Sequence, residues 1–427
     1  MKILKTLLCI FLIITSCNYG KTSENRLESW REGYLDIHFI STGTGNCAFA
    51  ILPDGTTLLI DAGELDPTSP RVQSPRNTRR YPDYSKHGFE WQADYIKAFF
   101  PAGRKSQLDY AFITHYHEDH YGCVYPGVPE SEHGEYFLSG ITGVGSLIPI
   151  NKIIDRGDSY PYNLKEIADS IPDKLKSIIN YWKFIDYQKE KNKLVHETFE
   201  VGSKDQFVLL YHTDKFPEFS ICNINANGVI WSGKESKENT TKLPSPGELK
   251  EKNIIPDENT LSCGILIQYG KFRFYAGGDI HGKQPDYMNK PPWYDIESYV
   301  APVVGEVDVT TANHHANRDA MSACYLSILK PRVIIQEVWS SDHPGHEAFL
   351  RMISKNIWPD ERDLFATNML DANRFVIGEQ LDNNYKSMQG HIVLRVLHGG
   401  DKYYIYILNH LNTIREVTGK FGPYQSK

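Results

Sequence analysis

The feature that most constrains this chain is the six-residue run His-Tyr-His-Glu-Asp-His at positions 115–120. It follows an apolar segment, residues 110–113, whose composition is typical of a buried strand. A strand that ends in this way places three imidazoles and a carboxylate in one tight turn, which is the nitrogen and oxygen ligand set that suits zinc and neighbouring transition ions. The run therefore predicts half of a two-metal site.

Further candidate ligands each come after an apolar segment typical of a strand. They are Asp61, Asp279, His314, His315 and His343. Two glycines precede Asp279 and let the backbone approach closely, so Asp279 is the natural bridge between two ions. Asp61 is best explained as a carboxylate that accepts a hydrogen bond from the outer nitrogen of a ligand imidazole, and a helix N-cap is the alternative.

The order of these motifs resembles the metallo-β-lactamase fold superfamily. Within it, Asn-His-His-Ala-Asn at 313–317 and Ser-Asp-His-Pro at 341–344 are similar to one branch. That branch contains the hydrolase domain of DNA-internalisation competence proteins and the phosphorylcholine esterases. The resemblance covers about residues 34–352.

The chain departs from the pattern of this branch in three places. Ala316 and Asn317 stand where Gly-Ser is usual, and Cys123 stands where a glycine is usual. The superfamily's lone third-motif histidine has no convincing match, and the candidates without suitable context are His133, His196 and His212.

The resemblance implies an α/β fold, a four-layer αββα sandwich with a helical and loop insertion between the first metal motif and the bridging aspartate. It also implies two divalent ions per chain, zinc first and manganese as the alternative. The predicted ligands are His115, His117 and one of His314 and His315 for the first ion, and Asp119, His120 and His343 for the second. Asp119 and the bridging Asp279 are the predicted catalytic residues.

A water molecule held between two ions would be the nucleophile, so the predicted function is a binuclear metal-dependent hydrolase. Phosphodiesters, either nucleic acid or phosphocholine-type esters, are the predicted substrates, because two close dications stabilise both oxygens of an in-line displacement. One histidine of the 314/315 pair would bind no ion. It would donate a proton, contact phosphate or orient a metal-bound residue by a hydrogen bond. The alternatives are a lactonase or β-lactamase-type hydrolase and a non-catalytic metal-binding surface lipoprotein.

A long surface loop, residues 66–88, carries four arginines, and the alternatives are a plain solvated loop and a role in steering an anionic substrate towards the site. The four arginines are Arg71, Arg76, Arg79 and Arg80. The formal net charge of −7 argues against non-specific binding of polyanions by the surface as a whole.

The N-terminus resembles a bacterial lipoprotein signal. Two lysines precede the apolar segment 7–14, and Cys17 ends a lipobox. The apolar segment is shorter than the ~20 residues that a transmembrane helix needs. We therefore expect a signal at 1–17, a linker at 18–33 and one hydrolase domain at 34–427 with its insertion at about 125–258. Lipidated Cys17 would hold the protein to a bilayer of the cell envelope, at the periplasmic or outer-membrane surface, and no obligate protein partner is expected.

Local patterns predict several elements outside the site. Residues 49–60 predict a hairpin, 90–100 an amphipathic helix, and 163–192 a helical stretch broken at Pro172. The apolar-poor stretch 232–258 predicts a mobile loop. We expect His281 to be a residue of the site's rim.

Overall fold

The computed structural model describes residues 25–43, 45–170, 175–233, 239–283 and 289–427. The predicted signal with Cys17, part of the predicted linker, and Pro172 lie outside the described residues.

The strands of the first sheet are β1 (Leu35–Phe39), β2 (Ala48–Ile51), β3 (Thr57–Ile60), β4 (Leu108–Phe112), β5 (Ile150–Asp155), β6 (Val195–Thr198), β16 (His391–Val396), β17 (Lys402–Leu408) and β18 (Val417–Gln425). Their spatial order is β18-β17-β16-β1-β2-β3-β4-β5-β6, and the block β3 to β6 is parallel.

A second sheet packs against the first. Its strands are β7 (Phe219–Ala226), β8 (Val229–Ile230), β9 (Thr240–Thr241), β10 (Gly264–Tyr269), β11 (Phe272–Ala276), β12 (Val309–Thr311), β13 (Val333–Gln336), β14 (Asp363–Ala366) and β15 (Tyr385–Ser387). Their order is β15-β14-β13-β12-β11-β10-β7-β8-β9, and the block β11 to β15 is parallel. Because the carboxyl ends of parallel strands meet at one edge of a sheet, each sheet has one edge suited to carrying a site.

The α-helices in the described residues vary from one turn to almost five turns. They are α1 (Pro70–Gln73), α2 (Gly88–Phe99), α3 (Glu118–Tyr121), α4 (Gly140–Leu147), α5 (Leu164–Ser170), α6 (Lys176–Asn192), α7 (Pro246–Glu251), α8 (Glu297–Val304), α9 (Ala323–Leu329), α10 (His346–Ile353), α11 (Asp371–Ile377) and α12 (Glu379–Asn384). None of the helices within this part of the chain combines the length and apolarity needed to span a membrane.

Successive side chains of a strand point to opposite faces of its sheet, so each sheet packs against a neighbouring layer on both faces. Leu35, Ile37 and Phe39 of β1 point into a core shared by the two sheets, to which β10 and β11 of the second sheet also contribute. The opposite faces carry two further cores, one with α2, α4 and α6 on the first sheet, and one with α8, α9 and α10 on the second. The predicted four-layer αββα sandwich is therefore confirmed.

Residues 125–258, predicted as a helical and loop insertion, contribute helices α4 to α7 and also strands β5 to β9. The prediction of a mobile loop over 232–258 was wrong where the structure describes it, since β9 and α7 form there. Ser245 caps α7 by accepting from Glu248 N, and the Glu248 carboxylate accepts from Ser245 N at 2.9 Å. This Ser-x-x-Glu capping box is present in the sequence and predicts the start of a helix, whereas the low apolar content of the stretch predicts a loop. The structure follows the capping box.

One buried carboxylate, Glu64, joins the first turns of two helices. It accepts hydrogen bonds from the backbone N–H groups of Gly88 at 2.7 Å and Phe89 at 3.3 Å in α2, and of Gly140 at 3.1 Å in α4. The Arg80 guanidinium lies 3.8 Å away. Helix N-termini leave such N–H groups without partners inside the helix, so this carboxylate fixes both helices beside the first sheet.

Candidate metal centre

The ends of strands β4 and β11 bring the two halves of the site together. After β4, His117 is the N-cap of the short helix α3, which carries Asp119 and His120. Asp279 follows Gly278, whose φ is +63°. A Cβ on Gly278 would lie 3.0 Å from the side chain of Ser262, so this tight approach favours glycine.

Four donor side chains form a buried cluster in which all ligand atoms lie within 4.8 Å of one another: Asp119, His120, Asp279 and His315. Asp279 Oδ2 lies 3.3 Å from His120 Nε2 and 3.4 Å from His315 Nε2. Asp119 Oδ2 lies 3.1 Å from His315 Nε2 and 3.6 Å from His120 Nε2. Two carboxylates and two imidazoles converge on one point.

The outer nitrogens of both imidazoles are held by hydrogen bonds. His120 Nδ1 lies 2.7 Å from Asp61 Oδ2, and His315 Nδ1 lies 3.2 Å from the backbone oxygen of Glu337. Thr114 donates to Asp61 from both its N–H and its Oγ1, each at 2.8 Å. These contacts fix the rings with Nε2 facing the cluster.

The donor set fits a divalent transition ion. His120 Nε2 is buried and has no hydrogen-bond partner of acceptable geometry, although it faces two carboxylates. A buried polar atom without a partner is costly, and coordination of an ion would satisfy it. Mixed imidazole and carboxylate ligands suit zinc or manganese.

The carboxylates and imidazoles of the cluster shift one another's pKa values. Burial opposes the charged form of His315, but the carboxylates of Asp279 and Asp119 raise its pKa to about 10. Burial likewise opposes a charge on His120, and the carboxylates around it raise its pKa well above the usual range. Burial would raise the pKa of Asp279, yet His120 and His315 hold it well below its ordinary value. In the absence of a metal, protons on the two rings therefore balance the two carboxylates, and a bound cation would displace them.

The structure distributes the predicted ligands differently from the sequence prediction. His315, one of the two alternatives predicted for the first ion, lies instead with Asp119 and His120. His343 stacks on His315 with ring centres 4.3 Å apart, and among the described residues its only carboxylate within 4.0 Å is that of its neighbour Asp342. His343 is therefore not one of the four cluster residues, and its role as a ligand beside Asp119 and His120 stays a prediction.

The other two predicted ligands lie next to the cluster. His115 Nε2 is 3.2 Å from His117 Nδ1 and 3.9 Å from Asp279 Oδ2. Asp279, itself a member of the cluster, thus also lies near His115, as expected of a bridging carboxylate. The two-ion model stays a prediction.

His314 is not one of the four cluster residues and belongs to a second group with His281 and Asp319. Its Nδ1 lies 2.7 Å from Asp319 Oδ1, and its Nε2 lies 3.1 Å from Asn259 Nδ2. Asn259 Oδ1 is buried without a partner, so rotation of this amide would let it accept a hydrogen bond from His314 Nε2. His281 is fully buried and stacks on Tyr294, so its prediction as a rim residue was wrong.

The three third-motif candidates lie elsewhere. His133 is exposed, His196 Nε2 lies 2.8 Å from Asp155 Oδ2, and His212 Nδ1 lies 2.6 Å from Glu32 Oε1. None of the three belongs to either group of candidate ligands found in the described residues.

A cavity of about 470 Å³ contains the site, a volume typical of a small-molecule pocket. Sequence reasoning missed three of its polar and aromatic residues. Arg156 follows β5 and forms a two-point ion pair with Glu258 at 2.5 and 2.9 Å. Trp339 follows β13, and its Nε1 lies 3.3 Å from His315 Nε2. Both follow apolar strands, which is the signal that could have found them.

The four predicted steering arginines have different surroundings. Arg71 lines the cavity, with its guanidinium 5.5 Å from the ring centre of Trp339. Arg76 and Arg79 are exposed. Arg80 is buried and faces Glu64, so its charge is compensated inside the fold. The predicted steering role is therefore wrong for Arg80, whose guanidinium faces Glu64 inside the fold.

Replacing Asp61 with Asn should weaken zinc binding by about 10- to 100-fold, because the amide cannot hold the His120 ring in the same way. Competition with a chromogenic chelator measures this. Asp109→Asn is the matched control, since Asp109 is also buried and accepts from the N–H and Oγ1 of Thr57 at 2.8 and 2.9 Å. Equal losses of affinity in both variants would contradict a positioning role for Asp61.

Comparison with known proteins shows remote likenesses only. No protein-family model and no curated protein matches the chain. Among solved structures, a CmlA β-hydroxylase variant has 11% identity and a TM-score of 0.36, covering 87% of this chain, and this chain spans 55% of that protein. Zinc-bound PqqB from Methylobacterium extorquens has 10% identity and a TM-score of 0.37, covering 84% of this chain and 99% of PqqB.

The metallo-β-lactamase fold protein YhfI from Bacillus subtilis has 11% identity and a TM-score of 0.36, covering 84% of this chain and 99% of YhfI. With scores this low, nothing about chemistry is transferred from these proteins. The functional conclusion depends on the site residues.

Proposed function

We propose that this chain is a metal-dependent hydrolase of phosphodiesters. The observation that carries the proposal is the buried convergence of Asp119, His120, Asp279 and His315, in which His120 Nε2 has no hydrogen-bond partner. A purely structural cluster would be expected to satisfy this nitrogen.

The four cluster residues would hold a divalent ion, and His115 with His117 would hold a second one across Asp279. When bound, such ions act as Lewis acids and lower the pKa of water from 15.7 towards ~7. Asp61 and the Glu337 carbonyl keep the two rings in the tautomer that presents Nε2. The chain then needs no nucleophilic side chain of its own.

His314 is placed to move a proton. It lines the cavity, and its Nδ1 is bonded to Asp319, whose carboxylate raises the pKa of His314 although burial opposes the charge. Its Nε2 would pass a proton to a leaving oxygen by exchanging its hydrogen bond to Asn259 for one to the substrate. The general-acid role is part of this proposal.

The substrate class is supported by Arg71, a cation beside the cavity. Zinc-loaded protein should hydrolyse bis(p-nitrophenyl) phosphate, DNA or a phosphocholine ester faster than a lactone or nitrocefin. Arg71→Gln should lower kcat/KM by about two- to five-fold at low salt and less at high salt, because salt screens exposed charge. Arg79→Gln, also exposed but not lining the cavity, is the control.

Three outcomes would contradict parts of this proposal. Faster turnover of nitrocefin than of any phosphodiester would reject the substrate class in favour of the β-lactamase-type alternative. A loss independent of salt would reject steering by Arg71. Metal binding without turnover of any of these substrates would favour a non-catalytic metal-binding lipoprotein.

We also propose that acylated Cys17 anchors the protein in the bacterial cell envelope. The support is the sequence pattern alone, an apolar segment that ends in a lipobox cysteine. Mass spectrometry of the mature protein should find an acylated N-terminal Cys17. A mature N-terminus at another residue would contradict the proposal.

A further inference from the structure

The cavity has an aliphatic lining that hydrolysis at the cluster does not require. Its lining includes four branched aliphatic side chains: Leu65, Leu164, Leu175 and Ile178. Three of these come from the neighbouring helices α5 and α6 or the residue before α6, and Ile178 is 5% exposed. Exposure of an apolar surface to water costs free energy, and an apolar group of a bound ligand would remove this cost by covering the surface.

This wall is attached directly to the ligand motif. Glu118 lies between His117 and Asp119, and its Oε1 accepts from Ser177 Oγ at 2.8 Å. Ser177 is in the first turn of α6, next to Ile178, and both line the cavity. A group bound at Asp119 therefore has an aliphatic surface within its reach.

We propose that this wall is a subsite for an alkyl or acyl chain of the substrate. The inference depends on the proposed function, since it names the substrate class as a phosphodiester that carries such a chain next to the scissile group. The four aliphatic side chains offer no hydrogen-bonding group, and the Ser177 hydroxyl among them already donates to Glu118 and accepts from Val124 N. Such a wall favours a saturated chain over a sugar or a second phosphate. The cavity volume of about 470 Å³ accommodates one short chain and a phosphate group, which is the scale of a small-molecule ligand.

Binding of a homologous series tests the subsite independently of turnover. The probes are alkylphosphonic acids from methyl to octyl, below their micelle concentrations, titrated into the zinc-loaded full chain by calorimetry. Burial of each methylene should tighten binding by about four-fold until the wall is covered. The same series as p-nitrophenyl alkyl phosphates should show a parallel rise in kcat/KM.

Ile178→Asn should flatten this dependence on chain length, with the largest loss for octyl and the smallest for methyl. Leu164→Gln, at a half-buried position, is the second variant in case the first does not fold. The matched control is Ile179→Asn, one residue further along α6, because Ile179 lines a different cavity. The control should keep the wild-type slope.

Two results separate the subsite from the proposed function. Binding that is independent of chain length in the wild type, or an unchanged slope in both Ile178→Asn and Leu164→Gln, would overturn the subsite. Chain-length-dependent binding without phosphodiester hydrolysis would support the subsite and overturn the hydrolase.

Discussion

Asp279→Asn should lower kcat/KM for the preferred phosphodiester by about 10³-fold or more. Asp279 Oδ2 lies within 4 Å of three imidazole nitrogens, on His115, His120 and His315. An amide of the same shape has no charge to share between two ions, and the loss of about 4 kcal/mol of transition-state stabilisation corresponds to this factor. Steady-state kinetics together with elemental analysis of the purified variant measures the effect.

Asp308→Asn is the control for the loss of a buried carboxylate, at the residue before β12 of the second sheet. Asp308 accepts from the N–H of Arg273 at 2.9 Å and does not line the cavity. Its variant should keep its metal and its rate. Full activity of Asp279→Asn would contradict the placement of the reaction at this cluster.

Glu64→Ala should lower the free energy of unfolding by about 3–5 kcal/mol. The substitution removes the acceptor of three buried N–H groups in α2 and α4 and leaves the Arg80 guanidinium without its carboxylate. Urea unfolding followed by circular dichroism measures the change.

Glu90→Ala serves as the comparison within α2. Glu90 closes a capping box by accepting from the N–H of His87 at 2.7 Å, and its loss should cost about 1 kcal/mol. Similar small effects in both variants would show that Glu64 does not join the two helices as described.

Much of the fold and half of the site were predictable from local sequence. The His115 to His120 run predicts the ligand turn because its residues are contiguous, and the alternating segments predict strands that the structure contains. Asp61, expected to accept from the outer nitrogen of an imidazole in the motif, lies 2.7 Å from His120 Nδ1. These inferences depend on residues that are close in the sequence, either alternating along a strand or following one another in a single turn.

The remainder depends on contacts between distant residues. His315 and His343 follow different strands, and only packing of the second sheet decides that His315 reaches Asp119 while His343 stacks behind it. Arg71 and Arg80 are nine residues apart in one loop, yet one lines the cavity and the other is buried against Glu64. No local pattern distinguishes such cases, because burial is a property of the assembled layers.

Anomalous X-ray scattering at the zinc absorption edge, from crystals of the zinc-loaded protein, tests the metal centre most directly. We predict a strong anomalous peak bonded to Asp119, His120, Asp279 and His315, and a second peak bonded to His115, His117 and Asp279. Ligand bonds of about 2.0–2.2 Å are expected. Absence of an anomalous peak at these side chains, in crystals whose mother liquor contains excess zinc, would contradict the assignment of this cluster as a metal centre.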